Sequence, residues 1–278
     1  MREAWLITGV STGLGRATAM AALDAGHTVV GTVRQNSDRE AFQRLAPGRA
    51  HSVLLDMSDL ERVPRVIQQV EREFGPIGVL VNNAGYGLEG ALETISITDL
   101  KRLYDANLFG ALAAAQALLA PMRARGGGRI VNVSSITALV SSPALGAYAS
   151  SKAALNSLSE VLRKEVAPFG IKVSAIMPGS FRTDWAGRSL GRVEEDNGNY
   201  AHLNAARGAR AARSGQQAGD PKRFAAAVLD LVARDDPPAF LLLGASALTA
   251  HQMKIDALQN DLERSRDSAP LADFPLAR

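Results

Sequence analysis

Short runs of β-branched and aliphatic residues alternate with longer amphipathic ones from the start of the chain to about residue 265. AWLITG (4–9), HTVVGTV (27–33), HSVLL (51–55), IGVLVNN (77–83), GRIVNVSS (128–135), IKVSAIMP (171–178) and AFLLLG (239–244) read as strands. Most are apolar throughout instead of alternating, the pattern of strands covered on both faces. Helical spacing of apolar positions falls near 13–25, 38–46, 59–74, 98–124, 148–167, 220–234 and 246–265. Strand alternating with helix predicts an α/β fold, a doubly wound parallel sheet of about seven strands with helices on both faces. No internal repeat or linker divides the chain, so residues 1–278 read as one domain.

Two stretches break the rhythm. Residues 184–219 are rich in Gly, Arg, Asn and Ala, with no strand signal and weak helical ones. So long an interruption in a compact domain is expected to be a lid or binding loop, with a disordered insertion as the plainer alternative. Residues 245–278 read as a C-terminal helix and tail, the tail from Ser268 extended or disordered.

Composition narrows the classes. The chain is 46% hydrophobic and 21% charged, with a net charge of +3 spread among acids, which gives little support to nucleic-acid binding. No continuous apolar run approaches the ~20 residues of a membrane span. The N-terminus enters a strand-like run at once, leaving no room for a signal peptide, so a cytoplasmic location is expected. With no Cys, disulfides, thiolate zinc sites and thiol nucleophiles are excluded; the four His stand far apart, and no metal site is expected.

TGVSTGLG (8–15) follows the first strand and opens the first helix. Gly9 would allow a sharp turn, while Gly13 and Gly15 would let a pyrophosphate approach the helix's backbone amides and positive end. A glycine-rich turn that binds nothing would look similar in isolation; its place between strand and helix at the head of an alternating chain favours a dinucleotide. The second strand ends in Val33 and Arg34, where an acid would accept bonds from an adenine ribose and an arginine would pair with a 2′-phosphate. Arg34 therefore points to NADP(H) over NAD(H), unless it is only a solvated strand-end charge.

Tyr148 and Lys152 lie four apart at the start of an alanine-rich helical stretch, a spacing that also arises without function. Taken in order with Thr8–Gly15, NNAG (82–85), NVSS (132–135) and PG (178–179), however, the pair resembles the short-chain dehydrogenase/reductase family over about residues 4–183. PGSFRTDWAGRSL and LLLGASAL are similar to the branch with 17β-hydroxysteroid- and retinol-dehydrogenase-like enzymes, although an aspartate is expected where Ser246 stands. The resemblance implies a Rossmann-type fold and roles for particular residues. Ser135 would hold the substrate carbonyl, Tyr148 would be general acid/base, Lys152 its partner, and Asn107 would hold a water beside Lys152. The cofactor would meet Thr8, Gly9, Ser11, Thr12, Gly13, Leu14 and Gly15, then Arg34, Asp56 and Met57. It would also meet Asn82, Ala84 and Gly85, Tyr148 and Lys152 themselves, and Pro178, Gly179 and Thr183. The family's usual assembly implies a homodimer or homotetramer.

The chemistry is coherent with those residue types. Reducing a ketone needs a hydride and a proton, and a tyrosine near pKa ~10 needs a nearby cation before it can also act as a base. Lys152 and an oxidised nicotinamide would lower the Tyr148 pKa. Tyr86, Leu139, Val140, Pro143, Trp185, Leu190 and Tyr200 are expected to wall a mostly apolar substrate site, with Leu203 beside them. The expected function is NADP(H)-dependent interconversion of a ketone or aldehyde with an alcohol on an apolar or bulky substrate. A catalytically silent, nicotinamide-sensing regulator is the alternative; it would have no need of Ser135, Tyr148 and Lys152 together. A sugar-nucleotide epimerase or dehydratase would call for T-G-x-x-G-x-x-G and a larger C-terminal domain, and the sequence has neither.

Overall fold

The computed structural model describes residues 4–193 and 198–274. Seven parallel strands form its centre: β1 (Ala4–Ile7), β2 (Val29–Val33), β3 (Ala50–Leu54), β4 (Ile77–Asn82), β6 (Gly128–Val133), β7 (Ile171–Pro178) and β9 (Phe240–Leu243). Two further strands, β5 (Gly87–Glu89) and β8 (Leu190–Arg192), pair with each other in a separate parallel ribbon. The helices are α1 (Gly13–Asp24), α2 (Asn36–Gln43), α3 (Arg62–Phe74), α4 (Ile97–Tyr104), α5 (Gly110–Ala124), α6 (Gly146–Val166), α7 (Leu203–Ala212), α8 (Pro221–Ala233) and α9 (Ala245–Ser265).

The main sheet runs β3-β2-β1-β4-β6-β7-β9. The chain starts in the middle, works out to β3, then crosses to β4 on the other side of β1. Ligands of doubly wound sheets bind outside the strand C-termini at such a reversal of order. Both faces of the strands are used, which explains why they read as apolar throughout. Leu6, Val30, Leu80, Ile130 and Val173 pack with Ile67 and Val70 of α3 and Ala114, Leu118 and Met122 of α5. Trp5, Ile7, Val79, Val131 and Ile176 face the other way, onto Ala19 and Leu23 of α1, Phe42 of α2 and Phe224, Val228 and Leu231 of α8. Beneath the β4 and β6 ends, Asn82 Nδ2 donates to Asn132 Oδ1 (2.9 Å) and Asn132 Nδ2 to Ser159 Oγ (2.8 Å), tying two strands to α6 through buried amides.

Helix ends follow local chemistry. Ser96 accepts from the Asp99 N–H and donates back to its carboxylate, capping α4. Asp220 caps α8 ahead of Pro221, which needs no N–H partner at that position. The expected single helix over 98–124 is instead interrupted: Asp105–Phe109 form one π-helical turn between α4 and α5, closed by the Gly110 N–H donating to Asp105 O. The whole run Ile97–Ala124 is long and apolar enough to cross a membrane by length and composition, and half of its most apolar stretch is buried inside the protein.

Residues 184–219 differ from the strandless reading. The stretch holds β8 and α7, which short length and mixed composition hide from a periodicity search. The tail also differs from an extended one, with a 3-10 turn at Ala269–Ala272; residues 275–278 lie outside the described residues. Only Ala247 of α9 is buried, and Leu248, Ile255, Leu258 and Leu262 stay exposed along it.

Candidate active site

The C-terminal ends of β1, β4, β6 and β7 converge on one edge, and every expected motif sits there or on the next turn. After β1, Gly13 takes φ +62, a left-handed backbone that a side chain would strain, and the nearest atoms to an added Cβ are those of Thr183 at 3.8 Å. The glycine loop thus faces the loop after β7, and a Cβ on Gly13 would sit in ordinary van der Waals contact with Thr183. Thr12 precedes α1 without a side-chain cap, so the first N–H groups of that helix are left for a ligand. Gly15 serves a different end from pyrophosphate approach: a Cβ there would overlap Asn83 Nδ2 and Gly9 O, so the glycine permits packing within the protein. These are donor groups and space that suit a dinucleotide diphosphate.

Thr8 and Asn83 hold the loop in place. The Thr8 hydroxyl accepts from the backbone N–H of Asn83 (3.0 Å) and Ala84 (2.9 Å), and Asn83 Nδ2 donates to Thr8 O and Gly9 O (2.9 and 3.1 Å). Sequence reading passed over Asn83 in favour of its neighbour. Asn82 turns its amide inward, donating to Ala111 O (3.1 Å) as well as Asn132, which leaves its backbone at the edge. Ser11, Thr12 and Arg34 are exposed or half-exposed at this rim, with Leu14 packed beneath on the core. Asp56 lies exposed and accepts from the Ser58 N–H and hydroxyl, while the Met57 side chain is buried in the core.

The β6 end brings Ser135 to Tyr148, near the start of α6. Tyr148 is 8% exposed, and Ser135 stands near enough to its hydroxyl to favour the phenolate and offset part of the effect of burial; the Ser135 hydroxyl accepts from the Thr137 N–H (3.2 Å) and hydroxyl (2.9 Å). Lys152, one helical turn on, is also buried, and its Nζ donates to Val133 O at 2.8 Å, 5.9 Å from the Tyr148 ring centre. Ser134 is structural, donating to Lys152 O (3.3 Å). Asn107 sits on the π turn; its Nδ2 donates to Tyr86 O (2.9 Å) and Ser151 Oγ (3.1 Å), and its Oδ1 accepts from the Tyr86 N–H (3.0 Å). Gly85 lies between Asn107 and Lys152.

Ionisation departs from the expectation of a lowered tyrosine. Burial pushes the Tyr148 pKa up to about 12, against a smaller downward effect of the Ser135 hydrogen bond, and burial pulls Lys152 down to about 8. Lys152 is turned to a carbonyl instead of to the phenol. In this geometry Tyr148 keeps its proton throughout the neutral range, the state a proton donor needs. Lys152 carries a folded pKa below its ordinary 10.5, so between about 8 and 10.5 the unfolded chain binds more protons and this group's share of stability rises with pH. Wild type is therefore expected to gain stability relative to Lys152→Met across that window in denaturant titrations. A constant difference at every pH would show that Lys152 is not a buried, depressed ammonium.

Over Tyr148 lies the start of the 184–219 segment, of which 194–197 are outside the described residues. The Trp185 ring stacks at 5.1 Å from that of Tyr148, tilted by 50°. Gly87 makes this possible, since a Cβ there would come within 2.6 Å of Trp185 and 2.7 Å of Leu190. Leu190 is buried in the β5–β8 ribbon. Tyr200 and Leu203 pack with Ala91 and Ala144 instead of over Tyr148, and the Tyr200 hydroxyl bonds Glu93. Leu139 and Val140 are half-buried and Pro143 exposed on the facing loop. Pro178 and Gly179 end β7 against α9, whose Ser246 accepts from the Ser180 N–H (3.3 Å). Glu89 was missed altogether: it is fully buried and ion-paired with Arg210 and with Arg192 (Oε2 to Nε, 3.2 Å). Burial at this contact lowers the Arg210 pKa.

Known proteins agree with this architecture. The model of the short chain dehydrogenase family matches residues 3–191. Oxidoreductase BOA17 of Botryotinia fuckeliana is 34% identical over 268 residues, 96% of this chain and 98% of that one. A 3-ketodihydrosphingosine reductase of Bacteroides thetaiotaomicron is 34% identical over 235 residues, 84% of each chain. The crystal structure of a short-chain dehydrogenase from Streptomyces avermitilis superposes with a TM-score of 0.91 at 36% identity, covering 99% of both chains.

Proposed function

The chain belongs to the short-chain dehydrogenase family, and from that premise we propose that it is an NADP(H)-dependent oxidoreductase interconverting a ketone or aldehyde with an alcohol. The observation that carries the reading is Ser135 against the protonated hydroxyl of Tyr148, with Lys152 one turn away, at the sheet edge that also presents the glycine loop. A bound nicotinamide supplies the hydride. Ser135 holds and polarises the substrate oxygen, and Tyr148 gives that oxygen its proton, or takes it back in oxidation. Lys152, 5.9 Å from the Tyr148 ring centre, would hold the cofactor's ribose hydroxyls, and its charge near the phenol would favour the phenolate left behind. Asn107 fixes the Tyr86 backbone beside Lys152, the wall on which a proton-carrying water would sit. A regulator that only sensed nicotinamide would not need the Ser135–Tyr148 contact.

Trp185, Leu190, Leu139 and Val140 suit an apolar or bulky carbonyl compound, and the likeness to a protein named as a 3-ketodihydrosphingosine reductase supports a keto substrate. Apolar side chains exposed on α6 and α9, Val161 and Leu258 among them, support a homodimer or homotetramer. A panel of ketones and alcohols followed by nicotinamide absorbance, with NADPH and NADH in parallel, tests the reading; no turnover of any carbonyl with either would overturn it.

The cofactor choice rests on Arg34, exposed just past β2 with no ion pair among the described residues. NADPH is expected to bind at least about tenfold tighter than NADH, about 1.4 kcal/mol. Arg34→Asp is expected to reverse the order, because a carboxylate both removes the pair and repels the 2′-phosphate. Equal affinities in the parent protein, measured by titration, would remove the preference.

A further inference from the structure

Arg188 stands where a cation is out of place unless an anion joins it. The chain leaves Thr183, makes a 3-10 turn over Asp184–Ala186, and folds back through Gly187 and Arg188 N–H groups that both donate to Asp184 O (3.3 and 2.9 Å). That turn sends the Arg188 guanidinium across to the phosphate loop, where Nη2 lies 3.3 Å from Ser11 Oγ and 3.4 Å from Thr12 Oγ1. Both contacts are long for charge-assisted hydrogen bonds, which favour about 2.7–2.9 Å. Arg188 has no carboxylate partner among the described residues. Its charge is held at the N-terminus of the twelve-residue α1, the positive end of the helix dipole, whose first N–H groups lack a side-chain cap. Two like-signed groups from different parts of the chain therefore converge on one small volume. Arg188 is exposed, so solvent and the two hydroxyls carry its charge as it stands, and an anion between the guanidinium and the helix end would stabilise both.

We propose that Arg188 binds the diphosphate of the dinucleotide cofactor and, through it, fastens the 184–193 segment over the active site; this rests on the cofactor reading above. A diphosphate seated on the α1 N-terminus gives the guanidinium a bidentate acceptor in place of two weak hydroxyl contacts. Ser11 and Thr12, freed of Arg188, turn their O–H groups to the same oxygens. The segment is then held at two points. Arg188 fastens its near side to the phosphate, and Arg192, four residues on, fastens its far side to buried Glu89. Trp185 lies just ahead of both anchors, pressed on Tyr148. The consequence is an order of events: the diphosphate shapes the wall of the substrate site before substrate arrives.

The test uses the intact protein with NADPH, with 2′-phospho-ADP-ribose, which carries the diphosphate but no nicotinamide, and with nicotinamide mononucleotide, which carries neither diphosphate nor adenosine. Arg188→Gln is expected to weaken NADPH and 2′-phospho-ADP-ribose by the same factor, about 10- to 100-fold, leaving the mononucleotide's binding unchanged. Arg188→Lys is expected to recover part of the loss, keeping charge without the fork. Trp185 supplies a second readout, since the protein's other tryptophan, Trp5, is buried in the core. 2′-Phospho-ADP-ribose is expected to change the Trp185 emission in wild type and not in Arg188→Gln. If Arg188→Gln binds both ligands within about twofold of wild type and its emission responds as wild type does, the proposal is wrong while the cofactor reading stands. If wild type itself binds neither NADPH nor 2′-phospho-ADP-ribose, the cofactor reading falls and takes this one with it.

Discussion

Tyr148→Phe is expected to lower kcat for carbonyl reduction by about 10³-fold or more while NADPH affinity stays within about twofold of wild type. The substitution keeps the ring that packs under Trp185 and removes only the hydroxyl that meets Ser135. Burial pushes the pKa of that hydroxyl up to about 12, so without cofactor the acid is loaded throughout the neutral range. With the hydroxyl gone, the oxygen left by hydride addition keeps Ser135 to hold it but loses the group assigned to give it a proton. Steady-state turnover and a cofactor titration on the same preparation separate the two effects. Turnover within tenfold of wild type would place the proton source elsewhere. Unaltered biological output from a protein that never turned over would favour the sensing alternative.

The largest stability effect is expected at Glu89. Its carboxylate is fully buried and paired with half-exposed Arg192 of β8 and largely buried Arg210 of α7, so Glu89→Gln leaves the Arg210 guanidinium facing a neutral amide. Breaking a buried ion pair from one side costs about 3–5 kcal/mol, more than the pair contributes over a well-packed apolar replacement. The expected result is a melting temperature lower by on the order of 10 °C and faster trypsin cleavage within 184–219. Glu89→Leu combined with Arg210→Met is expected to regain much of the loss, because it removes the stranded charge along with its partner. An unchanged melting curve and digestion pattern for Glu89→Gln would mean that the ribbon and α7 are held by their apolar contacts alone.

The seven main strands were legible because strands covered on both faces are apolar at most positions, a signal that survives even in the four residues of β1 and β9. β5 and β8 carry three residues each, and their pairing joins stretches about a hundred residues apart, so nothing local marks them. That Ser135, Tyr148 and Lys152 share one place was legible from residue type and order, because only the β6–α6 connection has to close to bring them together. The state of that trio was not. Whether Lys152 lowers the Tyr148 pKa depends on where its ammonium points, and Val133 O takes it at 2.8 Å. Glu89 and Arg188 escaped for the same reason: a lone acid in GLEGAL and a lone arginine in WAGRSL look solvated until the fold decides what faces them. Gly15 shows how one signal can carry two meanings, since steric demand inside the protein, seen here against Asn83 and Gly9, and access for a ligand both select for a missing Cβ.

The π turn at Asp105–Phe109 has a geometric meaning for the long helical run that contains it. It winds one residue more than an α-turn, and an α-helix advances by about 100° per residue. Without that extra residue, everything after it would be turned by about that angle relative to α4. With it, α4 can bury Leu103 while α5 still presents Ala114, Leu118 and Met122 squarely to the sheet. Asn107, on the wide turn itself, belongs to neither stripe and is free to reach sideways to Tyr86 and Ser151. The run thus behaves as a two-position gear with its phase fixed at the active site, so its length there is less tolerant of change than its composition.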